Sequence, residues 1–302
     1  MATALAEPLS PAPVGTGPRR LSAGARHVGG RVALYCVVVA FSLFAALPFY
    51  IALIMSFKQD PDLYQPRNDP FFFNQPPTTS QWSYLFTQTP FDRFALNTLL
   101  VGVVVVAITL VLGLPAAYSL ARFRMRFSGV LGIAIFLVYL IPPSLLFISM
   151  TRVVVYLHLQ DSLWSLVVIY PTITIPVSVW MLMGFFRSIP KDIEEQAMVD
   201  GYSRLSAFGR ALLPLAYPGI VAVVVFAFTL SASEFIYALA FITSTSQETI
   251  SIGVPTELIR GDVFYWQALE ASAVLTAVPI ALAFNVMLNR FITGFTMGAV
   301  KG

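Results

Sequence analysis

One cysteine, two histidines and three lysines are all that 302 residues supply of several side chains from which active sites are commonly built. Cys36 alone forms no intramolecular disulfide, and it lies in an apolar run where it reads as a small packing residue. No Cys/His metal cluster can be assembled from this stock, and no HExxH sequence occurs. With lysine confined to Lys58, Lys191 and Lys301, there is no GxxxxGK[ST] phosphate loop, so the chain does not bind ATP by that route. A GxSxG nucleophile elbow is also missing. Charge itself is scarce, at 11% of residues against about 25% in soluble domains. Buried acidic pairs of the kind that proton-coupled carriers use are absent: Glu234 stands alone in one apolar segment and Glu270 borders another. These absences disfavour an enzyme, a self-powered pump and an ion-coupled secondary carrier.

Apolar residues are abundant instead, at 57% of the chain. A bilayer crossing takes about 20 apolar residues. Six runs meet that length: Val32 to Phe57, Leu96 to Leu120, Val130 to Met150, Leu163 to Phe186, Gly219 to Leu239 and Leu269 to Ile292. The expected fold is an all-α polytopic membrane protein. Residues 1–31 lack the apolar centre of a cleavable signal peptide and read as a flexible tail, and residues 293–302 form a second tail. Arginine and lysine divide unevenly between alternate loops. Arg19, Arg20, Arg26, Arg31, Arg122, Arg124, Arg126, Arg187, Lys191, Arg204, Arg210, Arg290 and Lys301 fall in one set; Lys58, Arg67, Arg93, Arg152 and Arg260 form the other. The positive-inside rule then places both termini and loop 187–218 in the cytoplasm, and topology alone accounts for Arg122, Arg124 and Arg126. Nothing here calls for nucleic acid.

Between the first two spans lies an external segment carrying Phe71 to Asn74 and Trp82, suited to an interfacial aromatic belt or to a docking surface. Pro142 and Pro143 in the third run, and Pro171 and Pro176 beside Thr172 and Thr174 in the fourth, are tolerated where neighbours or water satisfy freed backbone groups. They suit either simple kinks or a wet cavity. His158 reads as a loop residue, and Asn285 and Asn289 as polar packing residues of the last span. Glu234, about one and a half turns below the external end of its span, either lines a pathway or subunit contact or snorkels to the interface.

The one long polar insertion that also carries helix signals runs from Phe186 to Pro218. Pro190 suits a first helical turn, and Asp192, Glu194 and Glu195 follow where the helix dipole favours carboxylates. Ile193 and Ala197 share a face, and Gly201 can take the left-handed stop. A second helix is predicted from Ser203, with Leu205, Phe208 and Leu212 on one face until Pro214 breaks it.

Glu195-Gln196-Ala197, three residues, Gly201, nine residues, Ala211, one residue, Leu213 and Pro214 resembles the EAA loop of binding-protein-dependent ABC importer permeases. Gln196 and Ala211 depart from that pattern but remain helix-compatible. Asn97-Thr98 through Phe127, TISIGV at Thr249 to Val254 and the terminal GAVKG are similar to the carbohydrate branch, and to the smaller permease of maltose-type systems. Ala232 and Ser233 replace the Trp and Asn common in relatives.

The resemblance implies a type I ABC importer permease in a bacterial cytoplasmic membrane, moving a sugar or oligosaccharide. Cargo other than sugar, or a secondary carrier, are the alternative readings. Implied partners are a second homologous permease, a dimer of ATP-binding subunits that hold the ATP and magnesium, an extracytoplasmic solute-binding protein and membrane lipid. This chain binds no cofactor or metal itself. By resemblance Ile193, Glu195, Ala197, Asp200, Gly201, Leu213 and Pro214 couple to the ATPase, with Ile193 and Ala197 seated against its cleft. Asn97, Thr174, Ser233 and Glu234 are pathway candidates, Glu248, Glu257 and Asp262 binding-protein contacts, and Lys301 a contact of the C-terminal tail.

Overall fold

The computed structural model describes residues 22–123 and 126–299, with side chains for 30–123 and 126–286. Arg19, Arg20, Arg124 and Lys301 lie outside the described residues, as do the side chains of Arg26, Asn289 and Arg290. The chain divides into two units at Tyr50. In the first, the helical backbone begins at Ser22, within the stretch expected to be a tail.

Helix α1 (Ser22–Ser56) is followed by two short helices, α2 (Asp60–Tyr64) and α3 (Ser80–Thr87), and by the long α4 (Phe91–Arg122). Next come α5 (Ser128–Tyr139), α6 (Pro143–Tyr156), α7 (Leu163–Ile169) and α8 (Pro171–Ser188). The polar insertion supplies α9 (Asp192–Val199) and α10 (Arg204–Ala207), which continues through a π-helical turn, Phe208–Leu212, into α11 (Leu213–Ser233). The chain closes with α12 (Ile236–Phe241), α13 (Ile250–Leu258) and α14 (Trp266–Ala299). Among the described residues five helices are long and apolar enough to cross a membrane, and α5 with α6 make a sixth candidate.

That sixth candidate is not the straight span its composition suggests. The axes of α5 and α6 differ by 91°. Pro143 disfavours helical backbone in the residue before it, and Pro142 is accordingly extended (φ −61°, ψ 134°); Pro143 then starts α6, where a missing N–H costs nothing. Single prolines elsewhere are absorbed: Pro48, Pro115, Pro176, Pro218 and Pro279 each lie inside a long helix. The fifth run is also corrected. Its helix stops at Ser233, and Glu234 is extended (φ −69°, ψ 126°) before α12 begins. Nor is the chain wholly helical: Ile259–Arg260 (β1) pairs antiparallel with Val263–Phe264 (β2) across a two-residue turn that opens with Gly261 at φ 62°.

Helices α4, α8 and α11 pack on one another, and α5 lies on α8. Near the Arg122 end of α4 the core is built from Ala117, Tyr118, Leu182, Met183, Phe186, Leu212 and Ala216. Toward the other end it is built from Val101, Val105, Leu166, Ile169, Tyr170, Tyr237 and Phe241. Between the two, the hydroxyls of Thr109 and Thr174 meet at 2.6 Å, so each buried polar group answers the other. A third cluster joins α3, α4, α13 and α14 through Leu85, Phe94, Leu258, Ala268 and Ala271.

The segment before α3 is fixed by a buried clasp. Lys58 donates to the carbonyl of Asp69 (2.8 Å) and faces Asp62 at 3.7 Å, and Asp62 accepts from the Asn74 side chain (2.8 Å) and backbone (3.1 Å). The loop from Ile242 to Ile250 is stitched down at several points. Asn97 donates to the carbonyls of Ser246 and Glu248, Thr98 accepts from the Ile250 amide, and Asp161 accepts from the Thr243 and Ser244 amides and the Ser244 hydroxyl. Asp161 itself takes φ 53°, a left-handed setting that aspartate tolerates better than most residues.

Two outcomes follow. A Cβ on Gly253 would stand 2.6 Å from the ring of the fully buried Phe94, so Gly253→Ala is expected to cost about 1–3 kcal/mol through overpacking. Gly129→Ala on α5 meets nothing within 4 Å and should be neutral or slightly stabilising. Thermal unfolding in detergent separates them, and equal shifts would contradict the packing described. The second outcome concerns pH. Hydrogen bonds from Ser244 and then Thr243 hold the Asp161 carboxyl down to about 2, below the usual ~3.9. Because the folded value is the lower one, its stabilisation is complete above the unfolded value and is lost as pH falls from about 4 to about 2. The stability gap between the parent chain and Asp161→Asn should therefore be flat at neutral pH and close over that acid window; a gap that stays constant would refute the assignment.

Candidate functional site

A buried ion pair with a phenol beside it lies where the far end of α4 meets α9. Helix α9 begins as its sequence dictates, with Asp192, Glu194 and Glu195 in the first turn, although Pro190 precedes the Lys191 cap instead of entering the helix. It ends at Asp200, and Gly201 follows at φ 93°, the left-handed stop that a side chain would strain.

Only Glu194 and Ala197 of α9 are buried. They sit three residues apart on one face, turned toward α4. The Tyr118 hydroxyl donates to Oε1 of Glu194 (2.8 Å), and Arg122 Nε lies 2.5 Å from Oε2. Arg122 also donates from Nη2 to the carbonyl of Ile189 (3.0 Å), which closes the junction between α8 and α9. Tyr118 and Arg122 are one helical turn apart, so one stripe of α4 supplies both groups. The pair is screened from water: both side chains are less than a tenth exposed. Arg122 is therefore more than a topological marker, and this corrects the expectation from loop charge alone.

Aromatic rings fix the phenol. Tyr118 packs on Phe208 at 4.4 Å between centroids, with Phe186 and Phe123 edge-on at 6.3 and 5.6 Å. Phe208 begins the π turn, in which the Leu213 amide bonds the Phe208 carbonyl five residues back. Phe208 and Leu212 both reach this core, while Leu205, expected on the same face, is 79% exposed. Pro214 does not end the helix; it falls in the first turn of α11, just past the π turn. Leu213 packs into the chain's own core. Arg204 lies over the Phe123 ring at 5.3 Å, and Arg210 over Tyr202 at 5.5 Å.

The outward face of α9 carries Asp192, Glu195, Gln196, Val199 and Asp200, which line a shallow concavity of about 260 Å³. Val199 is 88% exposed. The expected seating of Ala197 against a partner is corrected, because Ala197 is buried within the chain; Ile193 is half-buried, and Glu195 and Asp200 are exposed. Glu194 was missed because the motif spacing selects its neighbour. The signal was present, since a carboxylate three residues before Ala197 shares its buried face and needs a partner.

Elsewhere the expected residues separate. Thr174 is buried against Thr109, and Asn97 is committed to the 246–248 carbonyls. Ser233 is exposed and bonds back to Thr229. Glu234 accepts from the amides of Tyr237 and Ala238 at 3.0 and 3.1 Å, capping α12, and its carbonyl accepts from Ser251. Glu248 turns inward and is 7% exposed; burial first, then Glu257, pushes its carboxyl up. It does not present a docking carboxylate, which corrects that expectation. Glu257 is paired with Arg260 at 2.6 Å, and Asp262 is exposed in the hairpin turn. Asn285 is exposed on α14. Among the described residues there is no cluster of three or more His, Cys, Asp or Glu able to hold a metal ion.

The family model described as "binding-protein-dependent transport system inner membrane component" matches residues 109–296. The chain is 30% identical to the diacetylchitobiose uptake system permease protein DasC of Streptomyces coelicolor over 283 residues, which covers 92% of this chain and 99% of that protein. It is also 30% identical to the sulfoquinovosyl glycerol transport system permease protein SmoH of Agrobacterium fabrum over 232 residues, covering 76% and 81%. Among solved structures, a chain of a bacterial ABC transporter involved in import of the acidic polysaccharide alginate superposes with a TM-score of 0.72 at 18% identity, over 90% of this chain and 99% of that one. That likeness shows the fold, and it agrees with the bundle of α4, α8 and α11. With the family model spanning more than half of its length, the chain belongs to the binding-protein-dependent transport system inner membrane component family.

Proposed function

We propose that this chain is the membrane-spanning permease subunit of an ATP-driven ABC importer for a carbohydrate, in a bacterial cytoplasmic membrane. The observation that carries the reading is the outward face of α9: three carboxylates and a bare valine on a short helix whose opposite face is locked to α4. Such a surface suits a basic, apolar-walled cleft on a soluble motor. The carbohydrate assignment is supported by the cargo named for the two relatives, a disaccharide and a sugar glycoside.

In this reading α5 and α6 count as one broken span, which gives six crossings. The lopsided arginine distribution then sets both termini and α9 on the cytoplasmic side. ATP and magnesium belong to a dimer of partner subunits, and this chain supplies no catalytic group. A second homologous permease completes the pathway, and a solute-binding protein docks at the opposite face, where the β1–β2 hairpin presents Asp262 and the stacked Phe264 and Trp266. When the motor closes on ATP, α9 moves with it and rocks the bundle between inward-facing and outward-facing states.

Reversing the charge in Glu195→Lys removes one member of a partner contact worth about 2 kcal/mol or more, a factor of about 30 in affinity. Gly201→Asp instead forces a side chain onto a backbone at φ 93°. With the reconstituted transporter, both variants are expected to insert normally while ATP hydrolysis loses its stimulation by cargo-loaded binding protein and oligosaccharide uptake falls at least tenfold. Normal stimulated turnover in both would overturn the coupling assignment.

A further inference from the structure

We infer that the buried Tyr118–Arg122–Glu194 joint makes α9 and α4 one rigid body, with Glu194 as the positioning residue that delivers motion of the coupling helix to α4. This rests on the coupling role proposed for α9. The backbone carries force from α9 into α8 through Ile189–Lys191, and into α11 through α10 and the π turn. To α4 there is no such short backbone route. It is reached through space, by this joint, by the packing of Tyr118 on Phe208 and of Arg204 on Phe123, and through the faces that α8 and α11 pack on it.

Three features make the joint stiff. Helix α9 has eight residues and buries only one apolar side chain, Ala197, so packing alone fixes its orientation weakly. Both carboxylate oxygens of Glu194 are engaged, one by a phenol and one by a guanidinium, and those donors come from a single turn of α4. Arg122 also grips the Ile189 carbonyl, so it holds the root of α9 as well as its first turn. Without this grip, Gly201 at one end and the non-helical Ile189–Lys191 link at the other would leave α9 free to pivot.

Helix α4 also links the two faces of the bundle. It rises about 1.5 Å per residue over 32 residues, close to 48 Å in all. At its other end Asn97 holds the carbonyls of Ser246 and Glu248, and Thr98 holds the Ile250 amide. A displacement accepted at Arg122 is therefore passed to the 246–250 segment on the opposite face. The span Leu163–Ser188 runs alongside it, joined to α9 by residues 189–191 and bonded to Gln247 through the Leu163 amide.

The direct test uses the full transporter with Cys36 replaced by Ser and spin labels at Lys191, the cap of α9, and at Leu96, both exposed positions at opposite ends of the joined body. The inference expects the same inter-label distance distribution in the nucleotide-free and vanadate-trapped states, and a broader or shifted one in Glu194→Gln. A change between states in the parent protein overturns it, and that measurement does not depend on how the variants fold. A functional cycle supplies the second arm. Glu194→Gln and Arg122→Gln should each lower uptake per ATP hydrolysed by about tenfold, within the 5- to 150-fold range of typical coupling energies, and the double variant by no more than either alone. Multiplicative losses of about a hundredfold would show that the two act independently and would overturn the joint. If Glu195→Lys also couples normally, the coupling role of α9 fails; if only the Glu194 and Arg122 variants couple normally, this inference alone fails.

Discussion

A charge that leaves water must find its opposite, and the end of this bundle is arranged around that requirement. Removing one member of a buried ion pair typically costs about 3–5 kcal/mol because the survivor stays desolvated. Arg122 and Glu194 are both buried, so neither helix that carries them can rotate or shift by a residue without leaving a charge stranded. The aromatic rings of Phe186 and Phe208 keep water out and set Tyr118 so that its hydroxyl meets the second carboxylate oxygen. Phe208 and Leu212, at the two ends of the π turn, face that same core. The pair defines which face of α9 is left outside, and that face is the one that carries Glu195, Val199 and Asp200.

The bilayer imposes the second requirement: backbone groups freed by a break need partners within the protein. Two of the interruptions in the long helices come with side-chain partners. Glu234 ends α11 and at once caps α12, and Ser251 answers its carbonyl. Thr172 bonds the Ile169 carbonyl beside the break before α8. These local repairs let a proline-bearing bundle keep its core, and they place the breaks toward the ends of the packed region, where the loops are stitched to α4.

Much of the architecture was legible in the sequence because its causes are local. Runs of apolar residues locate the long helices, the acidic first turn starts α9, and Gly201 stops it. What the chain did not disclose depends on where a helix faces. The motif spacing draws attention to Glu195, yet the neighbouring Glu194 is the residue that α4 captures. Helical-wheel reasoning puts Leu205 with Phe208 and Leu212, yet Leu205 stays exposed while the other two join the core. Glu248 looked like a solvated loop carboxylate, and only the stitching of residues 246–250 to Asn97 turns it inward. Pro214 reads as a breaker in isolation, whereas the wide turn before it removes the clash it would otherwise make.

The account stands or falls on what covers the outward face of α9. The most direct measurement places a photo-crosslinking amino acid at Val199 in the assembled transporter, with the same group at Leu205 and at the lipid-exposed Val111 for comparison. A product between Val199 and the ATP-binding subunit, whose yield changes with nucleotide state, is what this structure predicts. Crosslinking of Val199 only to lipid or to this chain itself would contradict it.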